Sequence, residues 1–327
     1  MKSQWRGFQS PLAEGIRSFL AHKRSLGRRF DTEEKTLRPF DRFLAEHKLS
    51  RLEDLTSELL NAFLATRSQR RARSFNQVLG IVRGLLEWLV QRGVLDHSPL
   101  QVTPRRTTAR RIPYLFDVVQ ARRLLQLAGG LADNPRAPLR GPTYRTVFAV
   151  LYGLGLRVGE VCRLRRADVD FDRRLLVVRD TKFGKSRLVP FGPRMGTLLH
   201  DYLELRAPTG LAPDAPVFSF TRRGPVHPGT ISQTFHQLLP RLAMEVPRGV
   251  APPHLHDLRH AFAVGTLLRW YRNGMDPATR LFHLSTFLGH VNPSSTAVYL
   301  TITDQLLDEA NRRFEGVAAA VIAEASP

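Results

Sequence analysis

Leu175-Leu-Val-Val-Arg179, Asp180-Thr-Lys182-Phe-Gly-Lys185-Ser186 and Arg187-Leu-Val-Pro-Phe191 form the stretch on which the fold turns. Two runs of Leu, Val and Phe flank seven residues that include Asp, Gly and Ser, the pattern of a β-hairpin with Lys182 near its tip. Around this hairpin the spacing is helical. Upstream, residues 143–154 predict a helix, and residues 155–164 a turn entering another. Downstream, residues 217–220 predict a third strand. From Thr230 onward the pattern is again helical, with breaks at residues 247–253, 274–277 and 289–293. The expected fold class is mainly α with a small antiparallel β-sheet, an α+β architecture.

Residues 9–96 also read as mostly helical. Leu37, Phe40 and Leu44 lie at helical spacing behind a cap signal, Asp31-x-x-Glu34, while Pro39 predicts a kink. Val78, Ile81, Val82, Leu85, Leu86 and Leu89 form an apolar stripe, and Gly93 is placed to end that helix. Residues 101–113 hold four arginines (Arg105, Arg106, Arg110, Arg111), no acid and two prolines, with no apolar period. The expected organisation is a helical domain over residues 1–100, a basic linker over 101–113 and a second domain over 114–327.

With 327 residues, two cores are within reach. A hydrophobic fraction of 43% and a charged fraction of 24% are those of a water-soluble chain, and no run approaches the ~20 apolar residues of a membrane span. Residues 1–20 carry no signal-peptide pattern. Cys162 is the sole cysteine, so no intrachain disulfide can form; a cytoplasmic protein is expected.

The charge is far from balanced: 49 basic against 29 acidic residues gives +20. Residues 1–113 hold 22 basic and 11 acidic residues, and residues 114–327 hold 27 and 18, so both parts favour a polyanion. Arg67, Arg70, Arg71 and Arg73 cluster just before the apolar stripe, as a phosphate contact would require. Of the 49 basic residues only six are lysine, and Lys182 and Lys185 are the only ones after Lys48. Lysine can be tuned to release a proton and arginine cannot, so a lysine kept here suits proton transfer.

Arg157, Lys182, His256, Arg259, His290 and Tyr299 then make a cationic set with one phenol as nucleophile. Such a set suits chemistry on a phosphodiester: guanidiniums stabilise charge on non-bridging oxygens, and a phenol of pKa about 10 needs cations or a base to attack near neutral pH. His256 and His260, four apart on one helix with His254 nearby, could pose as a zinc site. No third ligand has sensible spacing, and Arg259 on the neighbouring turn would repel a cation.

Four motifs carry a family resemblance: Gly155-Leu-Arg157-Val-Gly-Glu160; Lys182-Phe-Gly-Lys-Ser-Arg-Leu-Val-Pro190; His256-Asp-Leu-Arg259-His260; and Leu288-Gly-His290 with Tyr299 nine residues on. They span about 145 residues, and in this order they resemble the tyrosine recombinases, or phage integrases. Gly159, where the family often has Ser or Thr, and an apparent insertion at residues 273–277 depart from the pattern.

The resemblance implies a core-binding helical domain followed by a catalytic domain with a helical tail. It implies a site-specific recombinase acting on double-stranded DNA as a homotetramer on synapsed sites, through a 3′-phosphotyrosine, with no metal or cofactor. Tyr299 would be the nucleophile, Arg157 and Arg259 the phosphate clamp, Lys182 the general acid, His256 the base or relay and His290 a donor to phosphate. Lys185 would contact DNA, His260 would be structural, and the apolar tail 317–323 would dock on a neighbouring protomer or pack on its own domain. The alternatives are relaxation of DNA in the manner of a type IB topoisomerase, and a catalytically silent DNA-binding regulator. A mobile element is the expected source.

Overall fold

The computed structural model describes residues 7–67, 71–107, 112–179, 186–220, 224–290, 292 and 294–301. Arg70, Arg110, Arg111, Lys182, Lys185 and the tail 317–323 lie outside the described residues. The chain divides into two compact units, Met1–Arg110 and Arg111–Pro327. The boundary falls inside the basic stretch 101–113.

The first unit is built from α1 (Ala13–Ser25), α2 (Asp31–Glu46), α3 (Ser57–Ala65) and α4 (Ala72–Gln91). The apolar stripe of α4 is buried at Val78, Val82, Leu85, Leu86 and Leu89 against Ile16 and Phe19 of α1, Leu37 and Phe40 of α2 and Phe63 of α3. Each such side chain contributes about 1.5–3 kcal/mol by leaving water. Gly15 lets α1 approach closely, since a Cβ there would sit 2.7 Å from Leu89. As expected, the chain turns at Gly93, with φ of +66°.

One local expectation fails. No side-chain cap forms at Asp31, because Glu34 instead takes hydrogen bonds from Arg24 and Arg38. Helix α2 continues through Pro39, whose neighbours Leu37 and Phe40 are fully buried and hold the segment helical. The basic stretch does not leave the first unit at residue 101. Asn76 of α4 clasps the backbone N–H and carbonyl of Arg105 (both 2.7 Å), and the Arg105 guanidinium stacks on Phe75 at 3.7 Å.

In the second unit α6 (Arg140–Leu154) is buried on most sides, through Tyr144, Val147, Phe148, Val150 and Leu151. An all-round apolar helix belongs at the centre of a domain. Around it lie α5 (Val118–Gly129), α8 (Pro193–Arg206), α9 (Pro228–Leu238) and α10 (Asp257–Arg272).

The hairpin strands are β2 (Leu175–Val178) and β3 (Arg187–Pro190), paired antiparallel with Val178 opposite Arg187 and Leu175 opposite Pro190. The third strand is β1 (Val169–Asp170), not residues 217–220. Two residues are too few to show an alternating pattern. Val217 and Phe218 are wholly buried, bonding through Val217 N–H to Leu164 and through the Phe218 carbonyl to Val226. Their apolar character reflects burial in a loop.

The elements that carry the site are α7 (Val158–Arg163), α11 (Pro277–Leu288) and a short helical segment, α12 (Ser294–Ala297), continued as one 3₁₀ turn over Val298–Thr301. Of the apparent insertion, residues 273–276 form the turn between α10 and α11, and Pro277 opens α11.

Candidate active site

Arg157 stands at the N-terminus of α7, where helical N–H groups lack partners. Glu160 answers in part: its Oε2 accepts the Arg157 backbone N–H at 2.9 Å and its Oε1 accepts Arg157 Nη1 at 2.8 Å. A third residue completes the cluster. Arg187 of β3 donates both Nη groups to the two oxygens of Glu160, at 3.0 and 2.9 Å. Burial alone would raise the Glu160 pKa, but the hydrogen bonds and charge of Arg187, followed by those of Arg157, hold it at about 2.

The C-terminus of α11 supplies the opposite wall. Its last carbonyls have no helical partner and carry partial negative charge. Three in a row each receive an arginine: Phe287 from Arg187 Nε at 2.7 Å, Leu288 from Arg259 Nη2 at 2.6 Å, and Gly289 from Arg157 Nη2 at 2.9 Å. Gly289 has φ of +68° and ends the helix in the left-handed conformation.

Arg259 comes from the first turn of α10 and is 1% exposed. Its Nη1 donates to the carbonyl of Gly155 at 2.6 Å, while its Nε is buried without a partner. Burial and the neighbouring Arg157 charge pull its pKa down to about 9, with Glu160 and Tyr299 acting the other way. It remains a cation at neutral pH, held where an incoming anion would relieve it.

The phenol of Tyr299 lies among these groups. Its hydroxyl shares a 2.8 Å hydrogen bond with Nδ1 of His260, and its ring stacks on His290. The ring is 2% exposed and packs with Leu267, Leu284 and Leu288. His256 precedes α10 and meets His260 edge to face, with centroids 4.8 Å apart. His290 Nδ1 lies 2.6 Å from the hydroxyl of buried Thr296. Burial first, then the charges of Arg259 and Arg157, lower its pKa to about 4, so it is neutral at pH 7. In the tautomer where Thr296 donates to Nδ1, Nε2 carries the proton and can donate.

Of the six expected catalytic residues, Arg157, His256, Arg259, His290 and Tyr299 are brought together; Lys182 lies in the undescribed hairpin loop. His260, expected to be structural, is the histidine bonded to Tyr299, and His256 stands one turn behind it. Arg187, inside the second motif, and Thr296, between His290 and Tyr299, carried no sequence signal of a role in the site. Among the expected DNA contacts, Arg71, Arg73 and Arg106 are exposed, whereas Arg67 stacks on Phe63 and Arg105 on Phe75. Among the described residues no three His, Cys, Asp or Glu side chains are grouped to hold a metal, and no helix is long and apolar enough to cross a membrane.

The phage integrase family model matches residues 126–305, and that of the phage integrase N-terminal SAM-like domain matches residues 34–93. A Sinorhizobium fredii protein named as an integrase/recombinase, y4rB, is 35% identical over 313 residues, covering 94% of this chain and 98% of that protein. In fold, the chain resembles the Tn1549 transposon integrase in complex with a circular intermediate DNA (TM-score 0.64, 16% identity, covering 94% of this chain and 100% of that one). It also resembles a lambda integrase tetramer bound to a Holliday junction (TM-score 0.60, 19% identity, covering 87% and 79%). With both family models matched in order and a relative aligned almost end to end, the chain belongs to the phage integrase family, the tyrosine recombinases.

Proposed function

We propose that the protein cuts and rejoins duplex DNA at specific sites through a phosphotyrosine at Tyr299. The observation that carries this reading is the grouping of the Tyr299 phenol, His260 and His290 with the guanidiniums of Arg157 and Arg259 at the C-terminus of α11, with the phenol bonded to His260. As the Tyr299 oxygen bonds to phosphorus, its proton passes to His260, with His256 behind it. The bond from phosphorus to the 5′ oxygen breaks, and Lys182 supplies that oxygen's proton. The products are a 3′-phosphotyrosine and a free 5′ hydroxyl. Arg157, Arg259 and the Nε2–H of His290 take up the charge that builds on the non-bridging oxygens; losing one such donor costs about a hundredfold or more in rate. Because the phosphodiester energy is kept in the protein–DNA bond, rejoining needs no ATP.

With the ring 2% exposed, attack requires the segment Ser294–Thr301 to bring the hydroxyl forward onto the phosphate. The +20 charge, exposed Arg71, Arg73 and Arg106, and the two basic units support a grip on duplex DNA, with Lys185, Arg70, Arg110 and Arg111 adding phosphate contacts. Strand exchange joins two duplexes at four cleavage points, so the working assembly is a tetramer. Similarity of fold to a tetrameric integrase on a Holliday junction supports this. The source is a mobile element, which the DNA junctions flanking the coding region would reveal.

The deciding experiment uses a nicked duplex carrying that junction sequence, on which the cleaved strand cannot be rejoined. Wild-type protein should accumulate a covalent adduct. Tyr299→Phe should bind the duplex equally well and yield none. An adduct trapped by the Phe variant would reject the assignment.

A further inference from the structure

Arg187 has a place in this site that its strand position does not announce. Its side chain is 8% exposed, against 31% for Arg157. Its guanidinium fork grips both oxygens of Glu160, and its Nε holds the carbonyl of Phe287. It therefore ties three elements together: β3, the start of α7 and the end of α11.

Glu160 is an ionised carboxylate beside Arg157, and a carboxylate prefers to take an arginine through two parallel bonds. Here the Arg157 side chain gives it only Nη1, while Nη2 turns to Gly289. That division is possible because Arg187 supplies one bond to each Glu160 oxygen. The close approach of the Gly289 backbone belongs to the same arrangement, since a Cβ there would lie 2.8 Å from Arg187 Nη1.

We propose that Arg187 is a positioning residue for strand cleavage: by satisfying Glu160 and holding the Phe287 carbonyl, it keeps Arg157 tethered by one prong and the turn bearing His290 in register with it. Remove it, and Glu160 draws in the whole Arg157 fork, taking from the phosphate its first clamp. This rests on the phosphotyrosine reading above.

The test is a double-mutant cycle on the nicked junction duplex at saturating DNA, reading the single-turnover rate of adduct formation and, separately, the dissociation constant for the duplex. Arg187→Met should slow cleavage by about 10–100-fold while leaving DNA affinity within about twofold, the split expected when a group acts only on the reacting geometry. In an Arg157→Ala background the same change should cost less than about threefold, because the residue it positions is already gone. Arg187→Lys keeps the charge without the fork and should be impaired almost as much; it carries the cycle if the Met variant does not fold, as judged by thermal melting.

Cleavage by Arg187→Met within about threefold of wild type would overturn the proposal. So would losses that multiply with Arg157→Ala, or a weakening of DNA binding that accounts for the rate. If wild-type protein itself forms no adduct, the phosphotyrosine reading fails and this proposal goes with it; if wild type reacts and the cycle shows no coupling, only the role of Arg187 fails.

Discussion

Nδ1 of His260 stands 2.8 Å from the hydroxyl of Tyr299, while His256, one helical turn earlier, meets the His260 ring edge to face. The histidine bonded to the proposed nucleophile is thus the second of the His256-Asp-Leu-Arg259-His260 motif, and on that proposal it is the group placed to accept the phenolic proton. A general base at hydrogen-bond distance contributes about 10²–10⁴-fold.

His260→Ala should therefore slow adduct formation by about a hundredfold or more on the nicked duplex, with DNA binding retained. His256→Ala should be milder if His256 acts only through His260. Rapid-quench measurement of both variants checks the order; a larger loss for His256 would make it the primary base and His260 its support.

The departing 5′ oxygen sets a separate requirement. On the proposed mechanism Lys182→Ala leaves that oxygen without its acid, so cleavage of an ordinary phosphodiester should fall by about 10²–10⁴-fold. A 5′-bridging phosphorothiolate has a sulfur leaving group that needs no proton, and it should restore most of the rate. Absence of rescue in a folded variant would make Lys182 a residue that positions the strand.

How much of this was legible in the sequence follows from how far each signal reaches along the chain. Arg157, His256, Arg259, His290 and Tyr299 sit in ordered motifs, and the structure brings them together. The role of Arg187 was not legible. Its partners Glu160 and Phe287 are 27 and 100 residues away, and no periodicity records which strand residue will face which helix end. The contact of His260 was hidden for a similar reason: its neighbour on α10 was visible, but Tyr299 lies 39 residues on and arrives only with the fold. The strand expected at residues 217–220 shows the converse error. Val and Phe there record burial, which a loop inside a domain shares with a strand.

Acid should act on the site through Glu160. Its pKa is lowered from 4.5 to about 2 in the folded chain, so the native state holds this carboxylate's proton less tightly than the unfolded state does. The stabilisation is fully present above the unfolded value and is lost as pH falls from about 4.5 toward 2. The shift corresponds to something on the order of 3 kcal/mol at neutral pH. Glu160→Gln should be less stable at about pH 7, because Arg187 is left buried without its counter-ion. It should also lose less stability than wild type between about pH 5 and pH 3, roughly the window named. Urea unfolding of both proteins across that range is the check; parallel losses would mean that other carboxylates govern the acid limb.

Gly155 offers a test of how tightly the clamp is seated. It ends α6 with φ of +60°, and a Cβ there would lie 2.5 Å from Cδ1 of Phe262, which stacks on Phe287. Its carbonyl also accepts Arg259 Nη1. Alanine would therefore incur the left-handed backbone cost, about 1–2 kcal/mol, and an overpacking cost of about 1–3 kcal/mol. Gly249 isolates the first cost, since its φ is +86° but nothing lies within 4 Å of an added Cβ. Gly155→Ala should accordingly destabilise the protein more than Gly249→Ala in denaturant melts. Only the Gly155 change should also slow adduct formation in the fraction that remains folded, because only that backbone holds Arg259. Equal slowing by both would show that cleavage tracks general stability, with the Gly155 carbonyl no special support for the guanidinium.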